Sequence, residues 1–389
     1  MMANRLVYMD HGATTPLREE ALEAMMPFLK EQYGNPSSLH APGRSVRNAV
    51  EEAREKTARA LGAEPEEIYF TSGGTEANNI ALRGAAKKHS GGGHIITSGI
   101  EHHAVLDVCK DLEQEGYEVT FLPVDRYGRI EPGAVKEAIK ENTFMISIMA
   151  ANNEIGTTQP IQKIGELAKE KGVLFHTDAV QVVGQLPVNL GELNADFLTL
   201  SAHKFNGPKG IGALYMRKGT KIDPLYHGGG QERKLRPGTE NVPGIIGLGR
   251  ALELSTEEIP DKKKHLGSLR DRLINGLLDI GDVILNGHPV ERLPGNVNVS
   301  FHYIEGESVL LSLDMEGIAA SSGSACSSGS LEPSHVLSAI GLDQSVAHGS
   351  IRFSLGRGNT EEDIDMVLEK APPIVERLRR MSPTYQQSQ

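Results

Sequence analysis

Short, unbroken apolar runs alternate with longer amphipathic stretches through the first two thirds of the chain. Unbroken apolar runs predict strands buried on both faces, and apolar residues at helical spacing predict helices packed on them. Glu67–Phe70, His94–Thr97, Glu118–Pro123, Phe144–Met149, Val173–His176 and Asp196–Leu200 read as strands, with Gly212–Met216 as a return strand. Between them, Pro16–Gln32 carries Leu22, Met25, Met26 and Leu29 on one helical face. Gly43–Leu61 reads as a helix stopped by Gly62, and Ala104–Glu115 as one stopped by Gly116. Glycine suits these places because it accepts the left-handed conformation that ends a helix. Strand–helix alternation of this kind predicts βαβ units and a mostly parallel sheet with helices on both faces.

The rhythm changes after about Glu258. Lys262–Ile280, Glu307–Met315, Pro333–Ile340 and Glu361–Met381 have helical patterns, while Asn296–Phe301 and Ser350–Leu355 read as strands of a separate sheet. The chain is therefore expected to divide into a large α/β domain, residues 16–258, and a smaller α+β domain built from residues 1–15 and 259–389. A length of 389 residues suits two such units.

Bulk properties narrow the function. A net charge of −11 argues against nucleic acid as a partner, since holding a phosphate backbone takes a basic surface. No apolar run is long enough to cross a membrane, and the first residues lack the apolar core of a signal peptide. The only cysteines, Cys109 and Cys326, cannot make a disulfide framework, which predicts a reducing, cytoplasmic setting. Many of the 43 glycines flank predicted strand ends, where backbone can approach a ligand closely.

In open α/β sheets ligands bind beyond the carboxyl ends of the strands, so the residues after each strand carry the chemistry. After Phe70, Thr71–Asn79 forms a glycine turn running into a helix, a place for an anion or simply an ordinary cap. The lysine-bearing signature of a nucleotide phosphate loop is absent. After Thr97 come Glu101, His102 and His103, a histidine pair able to stack on a planar ring, serve as acid or base, or merely start a helix. After Met149 come Asn152 and Asn153, two amides that orient a polar ligand or make an Asn turn. After His176 comes Asp178, a carboxylate beside an apolar strand that needs a cationic or protonated partner, such as a pyridinium nitrogen. Lys204 follows the run Ala195–Leu200 with Ser201 and His203 beside it. It reads either as a solvated strand end or as a Schiff-base lysine with a rigid root and an apolar surround. Taken together, a phosphate turn, a ring-stacking histidine, a buried aspartate and a Schiff-base lysine are what pyridoxal phosphate requires.

Two features lie elsewhere. Ser321–Ser330 consists of small residues around Cys326, a composition that predicts a mobile loop with either a nucleophilic or an incidental thiol. Cys109, by contrast, sits among apolar helical residues. Arg352 lies in an otherwise apolar strand and needs an anion, either a substrate carboxylate or a structural ion-pair partner. Lys209 is a second candidate Schiff-base amine, but it sits in a Gly-Pro loop away from the strand.

These motifs carry a specific resemblance. Asp10–Pro16, Gly34–His40, Thr71–Asn79, Glu101-His102, Asn152–Gly156, Asp178–Gln181, Ser201–Gly210, Arg236–Asn241, Ser321–Ser328 and Arg352–Arg357 resemble cysteine desulfurases of the iron–sulfur assembly type. These are pyridoxal-phosphate sulfurtransferases of the class V aminotransferase fold, and the similarity spans nearly the whole chain. The resemblance implies a large domain with a seven-stranded, mostly parallel sheet and a smaller α+β domain. It implies that Lys204 is the Schiff-base lysine, that His102 stacks on the ring, that Asp178 pairs with the ring nitrogen, and that Gln181 contacts the ring hydroxyl. Gly74, Thr75, Ser201 and His203 would hold the phosphate, with Thr239 reaching the phosphate of a partner subunit in a homodimer. Asn153 and Arg352, with Asn35, would hold the carboxylate of L-cysteine. Cys326 would accept the sulfur as a persulfide while L-alanine leaves, and pass it to an IscU-like scaffold; a transient role as an iron–sulfur ligand is compatible with the same thiol. A selenocysteine lyase or an aminotransferase shares the fold, but an aminotransferase has no use for Cys326. Gly74 stands where an alanine is frequent in the family.

Overall fold

The fold was obtained as a computed structural model, which describes residues 6–89, 91–322 and 333–388. In chain order the strands are β1 (Val7–Tyr8), β2 (Ile68–Thr71), β3 (His94–Ser98), β4 (Glu118–Leu122), β5 (Thr143–Ser147), β6 (Leu174–Asp178) and β7 (Phe197–Ser201). They continue with β8 (Gly212–Met216), β9 (Val283–Leu285), β10 (Asn296–Phe301), β11 (Ile318–Ala319), β12 (Ser321–Ser322) and β13 (Ser350–Ser354). A seven-stranded sheet has the order β2-β8-β7-β6-β5-β3-β4. Its strands run parallel except β8, which is antiparallel to both β2 and β7.

The unbroken apolar runs have a direct structural cause. Successive side chains point to opposite faces of a sheet, so a strand covered on both sides needs apolar residues at consecutive positions. Ile96, Ile146 and Leu198 enter the core on one face, and their neighbours Ile95, Met145 and Phe197 enter the core on the other. The edge strand β4 is buried only at Leu122.

A separate apolar core gathers Val297, Val299 and Phe301 of β10 with Ile351 and Phe353 of β13. Helices Ile259–Leu278 and Glu361–Met381 supply Leu269, Leu273, Ile364 and Val367 to it. The sheet there has the antiparallel order β12-β13-β10-β9, and β1 pairs in parallel with β11. The N-terminal strand thus joins the C-terminal third of the chain.

Most predicted elements lie within a few residues of the observed ones, and β8 and β10 match end to end. Helix Ala41–Leu61 ends at Gly62 with φ of 69°, the left-handed cap expected of glycine. The helix expected from Pro16 starts only at Glu19. Residues before it are drawn into an extended path, because the Thr15 and Arg18 amides donate to the carbonyls of His203 and Asn206. Its apolar face is also less buried than periodicity suggests: Ala21 is the buried residue, and Leu29 is 57 % exposed.

Candidate active site

The segments that follow β2, β3, β5, β6 and β7 converge on one cavity of about 290 Å³. Lys204 is not on the strand itself. β7 ends at Ser201, and Ala202–Lys204 forms a single 3-10 turn closed by the Phe205 and Gly207 amides donating to the Ala202 carbonyl. Phe205 is fully buried and roots this turn in the core. The Lys204 amine donates to the carbonyls of Gly12 at 2.6 Å and Ala13 at 2.7 Å. The amine is therefore aimed into the cavity by a short rigid root, not by a flexible surface chain.

Asp178, at the end of β6, is buried. One carboxylate oxygen accepts from the Asn78 amide at 2.7 Å and the other from the Val180 backbone N–H at 3.0 Å. Both donors hold the carboxylate in place as an acceptor while it lines the cavity. His176, two residues earlier on the same strand, is buried, with its ring nitrogens against Ser147 and Thr199 hydroxyls. Burial pushes its pKa down to about 4, so it stays neutral.

His102 caps helix His103–Gln114, its Nδ1 accepting from the Ala104 N–H at 3.0 Å. In the neutral ring that leaves the proton on Nε2. Burial lowers its pKa, and Lys204 adds to the lowering while Asp178 opposes it. Gln181 lines the cavity and donates to the Gly12 carbonyl at 3.0 Å.

At the other end, helix Gly74–Lys88 begins at the cavity edge with no side-chain cap on Gly73. Uncapped first-turn amides and the helix dipole favour an anion there. Gly74, Thr75, Ser201 and His203 surround this end. His203 is held by Thr14 and is pushed down to about 4 by burial, then by Lys204 and Lys209, so it is a neutral partner for an anion.

The two asparagines after β5 have separate tasks. The Asn152 side chain accepts from the Glu154 and Ile155 amides and donates to the Ile100 carbonyl, which makes it an Asn turn. Asn153 lines the cavity. Arg352 has the structural ion-pair partner that one of its two readings expects. Its guanidinium pairs with Asp10 at 2.9 Å and donates to the Asn153 carbonyl at 3.0 Å, while its buried Nε has no partner. A buried guanidinium N–H without an acceptor at a cavity wall fits an anionic ligand group.

Not every expected residue joins the cavity. Asn35 is exposed between two helices, and its side-chain oxygen accepts from the Ser37 amide. Thr239 is exposed as well, and neither residue lines the cavity of the single chain. Cys326 lies outside the described residues. Cys109 is buried, and burial pushes its thiol up to about 12, which leaves it inert.

Two buried carboxyls went unnoticed in the sequence as functional groups. Glu101 accepts from Ser98 at 2.6 Å and from the Met149 amide at 2.9 Å, and burial pushes it up to about 8. Its backbone carbonyl is bonded by His335 at 3.0 Å. Glu154 takes the Ser334 hydroxyl, and burial pushes it up to about 7. Together they tie the turn at Ser334-His335 to the cavity wall. Contact with that segment is not signalled by any local pattern around residues 101 or 154.

The arrangement suits a planar ring with an anionic tail. Uncapped helix amides would meet the tail, a fixed carboxylate would meet a protonated ring atom, and an imidazole and a lysine amine would meet the reacting carbon. The aminotransferase class-V family pattern matches residues 7–367. The chain is 60 % identical over 381 residues to cysteine desulfurase IscS of Methanosarcina thermophila, covering 98 % of this chain and 94 % of that protein. It is 58 % identical over 385 residues to cysteine desulfurase IscS of Dictyoglomus turgidum, covering 98 % of each. Among solved structures, a NifS-like protein superposes with a TM-score of 0.91 at 43 % identity, covering 96 % of this chain and all of that one. SspA in complex with cysteine superposes with a TM-score of 0.80 at 41 % identity, covering 90 % of this chain and 98 % of that one.

Proposed function

The chain belongs to the aminotransferase class-V family, and on that footing we infer that it is a cysteine desulfurase. It removes sulfur from L-cysteine, gives L-alanine, and takes the sulfur as a persulfide on Cys326 for iron–sulfur cluster assembly. The observation that carries this reading is the convergence of Lys204, Asp178, His102 and Arg352 on one cavity. Sequence identity of 60 % to a cysteine desulfurase along almost the full length supports it.

The cofactor is pyridoxal 5′-phosphate. When bound, it supplies an aldehyde that takes an amine and a ring that absorbs electrons released at the substrate α-carbon. Asp178, fixed by Asn78 and Val180, holds a proton on the ring nitrogen. Gly74, Thr75, Ser201 and His203 would hold the phosphate, His102 would cover the ring, and Gln181 would meet the ring hydroxyl. Lys204 would hold the aldehyde through its amine, and that amine would move the substrate α-proton. Arg352 and Asn153 bind the substrate carboxylate, with the Arg352 guanidinium pre-oriented by Asp10 and the Asn153 carbonyl. Cys326 thiolate would attack the substrate sulfur, forming the sulfur–sulfur bond as the carbon–sulfur bond breaks, and the departing electron pair would stay with the β-carbon, which takes a proton and leaves as part of L-alanine.

The functional unit is a homodimer in which Thr239, and Asn35 with it, serve the neighbouring cavity. Both are exposed and neither is among the residues lining the chain's own cavity, which supports this. The reading of residues 16–258 as a cofactor-binding unit and of 1–15 with 259–389 as a smaller unit rests on their separate apolar cores. The acceptor is an IscU-like scaffold, and the setting is cytoplasmic; among the described residues no helix is long and apolar enough to cross a membrane.

The test is spectroscopic and chemical. Protein supplied with pyridoxal phosphate should turn yellow and convert L-cysteine to L-alanine, and Lys204→Ala should lose the colour band. A wild-type protein that stays colourless, or that yields a keto acid in place of alanine, contradicts the reading; the keto acid would favour an aminotransferase.

A further inference from the structure

Beside the main cavity lies a shallower recess that shares Gly74, Thr75, Ser201 and His203 with it and adds Glu76 and Lys209. A phosphate at this end carries nearly two negative charges at neutral pH. The donors around it are neutral: helix amides, a threonine, a serine and an imidazole that burial, Lys204 and Lys209 keep uncharged.

The local cations can be counted. Arg236 is engaged by Glu76, with Nε to carboxylate at 2.9 Å. Burial alone would raise the Glu76 pKa, but the hydrogen bonds from Arg236 and Ser72 lower it, so the pair is internally neutral. Lys204 is the amine of the reacting end, anchored on two carbonyls. Lys209 remains, and among the described residues it makes no ion pair or hydrogen bond. Its mount is stiff. The Gly207 amide closes on the Ala202 carbonyl, Pro208 fixes the next residue, and a Cβ on Gly207 would meet Ala202 at 2.8 Å. Gly210 then turns the chain at φ of 75°. The lysine therefore projects from a short braced loop that continues the Lys204 turn.

We propose that Lys209 supplies the fixed positive charge that one chain offers to the cofactor phosphate, a binding role separate from the Schiff-base chemistry of Lys204. The proposal rests on the pyridoxal-phosphate reading and deepens it. A merely solvated surface lysine is the competing view, and the two differ in what they predict for a ligand lacking the phosphate.

The experiment uses the full-length protein stripped of cofactor. Pyridoxal phosphate and unphosphorylated pyridoxal are titrated into wild type, Lys209→Gln and Lys209→Arg, and binding is read from the absorbance of the lysine–aldehyde band. Lys209→Gln should bind pyridoxal phosphate about two- to fivefold more weakly, as for loss of one exposed charge pair, and bind pyridoxal unchanged. Lys209→Arg should recover most of the loss. Inorganic phosphate should compete less well in Lys209→Gln than in wild type. Unchanged pyridoxal-phosphate affinity in Lys209→Gln, or equal weakening of both ligands, overturns the proposal. Failure of wild type to bind pyridoxal phosphate would instead remove the cofactor reading itself.

Discussion

At the scale of single residues, the cavity holds each group in one place. Lys204 is rooted by Phe205 and aimed by two carbonyls. Removing its amine removes the acid–base group, so Lys204→Ala should cut L-alanine formation by roughly a hundredfold to ten-thousandfold. Steady-state assay with excess cofactor checks this. Arg352 offers a planar fork already oriented by Asp10. Lysine cannot reproduce that fork, so Arg352→Lys should raise KM for L-cysteine by about tenfold or more, with a smaller change in kcat. An unchanged KM would mean that the ion pair with Asp10 is its whole role.

Glu154 makes a different kind of statement. Burial pushes its carboxyl from 4.5 up to about 7, against the opposing pull of Ser334 and Arg352. Below about pH 4.5 both folded and unfolded chains hold the proton, and that share of stability is complete. As pH rises towards 7 the unfolded chain releases the proton first, so the contribution is lost. Glu154→Gln keeps the hydrogen-bond acceptor and removes the titration. Between about pH 5 and pH 8 wild type should therefore lose on the order of 1–3 kcal/mol more stability than the variant. Urea unfolding at the two pH values measures it, and parallel pH dependences would contradict the assignment.

At the scale of elements, close approach between backbones builds the cradle. Gly212 on β8 packs so tightly that a Cβ would meet the Leu200 carbonyl oxygen at 2.6 Å and Gly73 backbone atoms at 2.8 Å. Gly212→Ala should thus cost about 1–3 kcal/mol and push the Gly73 turn off its anion-binding position. Gly74→Ala meets one Val180 γ-methyl at 2.7 Å and no backbone atom at close range, so it should cost less than Gly212→Ala and keep the cofactor. Thermal melts with and without pyridoxal phosphate separate the two cases.

The legibility of each element in the sequence followed the same logic. Strands β3, β5 and β7 were readable because burial on both faces demands unbroken apolar runs. The start of the first helix was not, because pairing with residues 203 and 206, distant in sequence, overrides local preference. Lys204 was readable as a site residue, but its 3-10 turn was not, since one short turn leaves no periodicity. Asn152 and Asn153 looked alike until the fold assigned one to a turn and the other to the cavity. Glu101 and Glu154 meet His335 and Ser334, which only tertiary structure brings to them.

At the scale of the whole molecule, the cavity uses residues from both ends of the chain. Gly12 and Ala13 meet the Lys204 amine, and Arg352 arrives on β13. The proposed homodimer would extend that logic to a second copy through exposed Thr239 and Asn35. Light scattering should give twice the 42.0 kDa chain mass, and a monomeric holoenzyme with full activity would contradict the shared site. The central claim is that sulfur leaves L-cysteine for Cys326. Its most direct test is a single turnover with L-cysteine, followed by peptide mass spectrometry without reductant. The account predicts one L-alanine per active site and a Cys326 peptide heavier by one sulfur atom, with Cys326→Ser giving neither. Alanine release at the wild-type rate from Cys326→Ser, or a Cys326 peptide of unchanged mass after turnover, would contradict it.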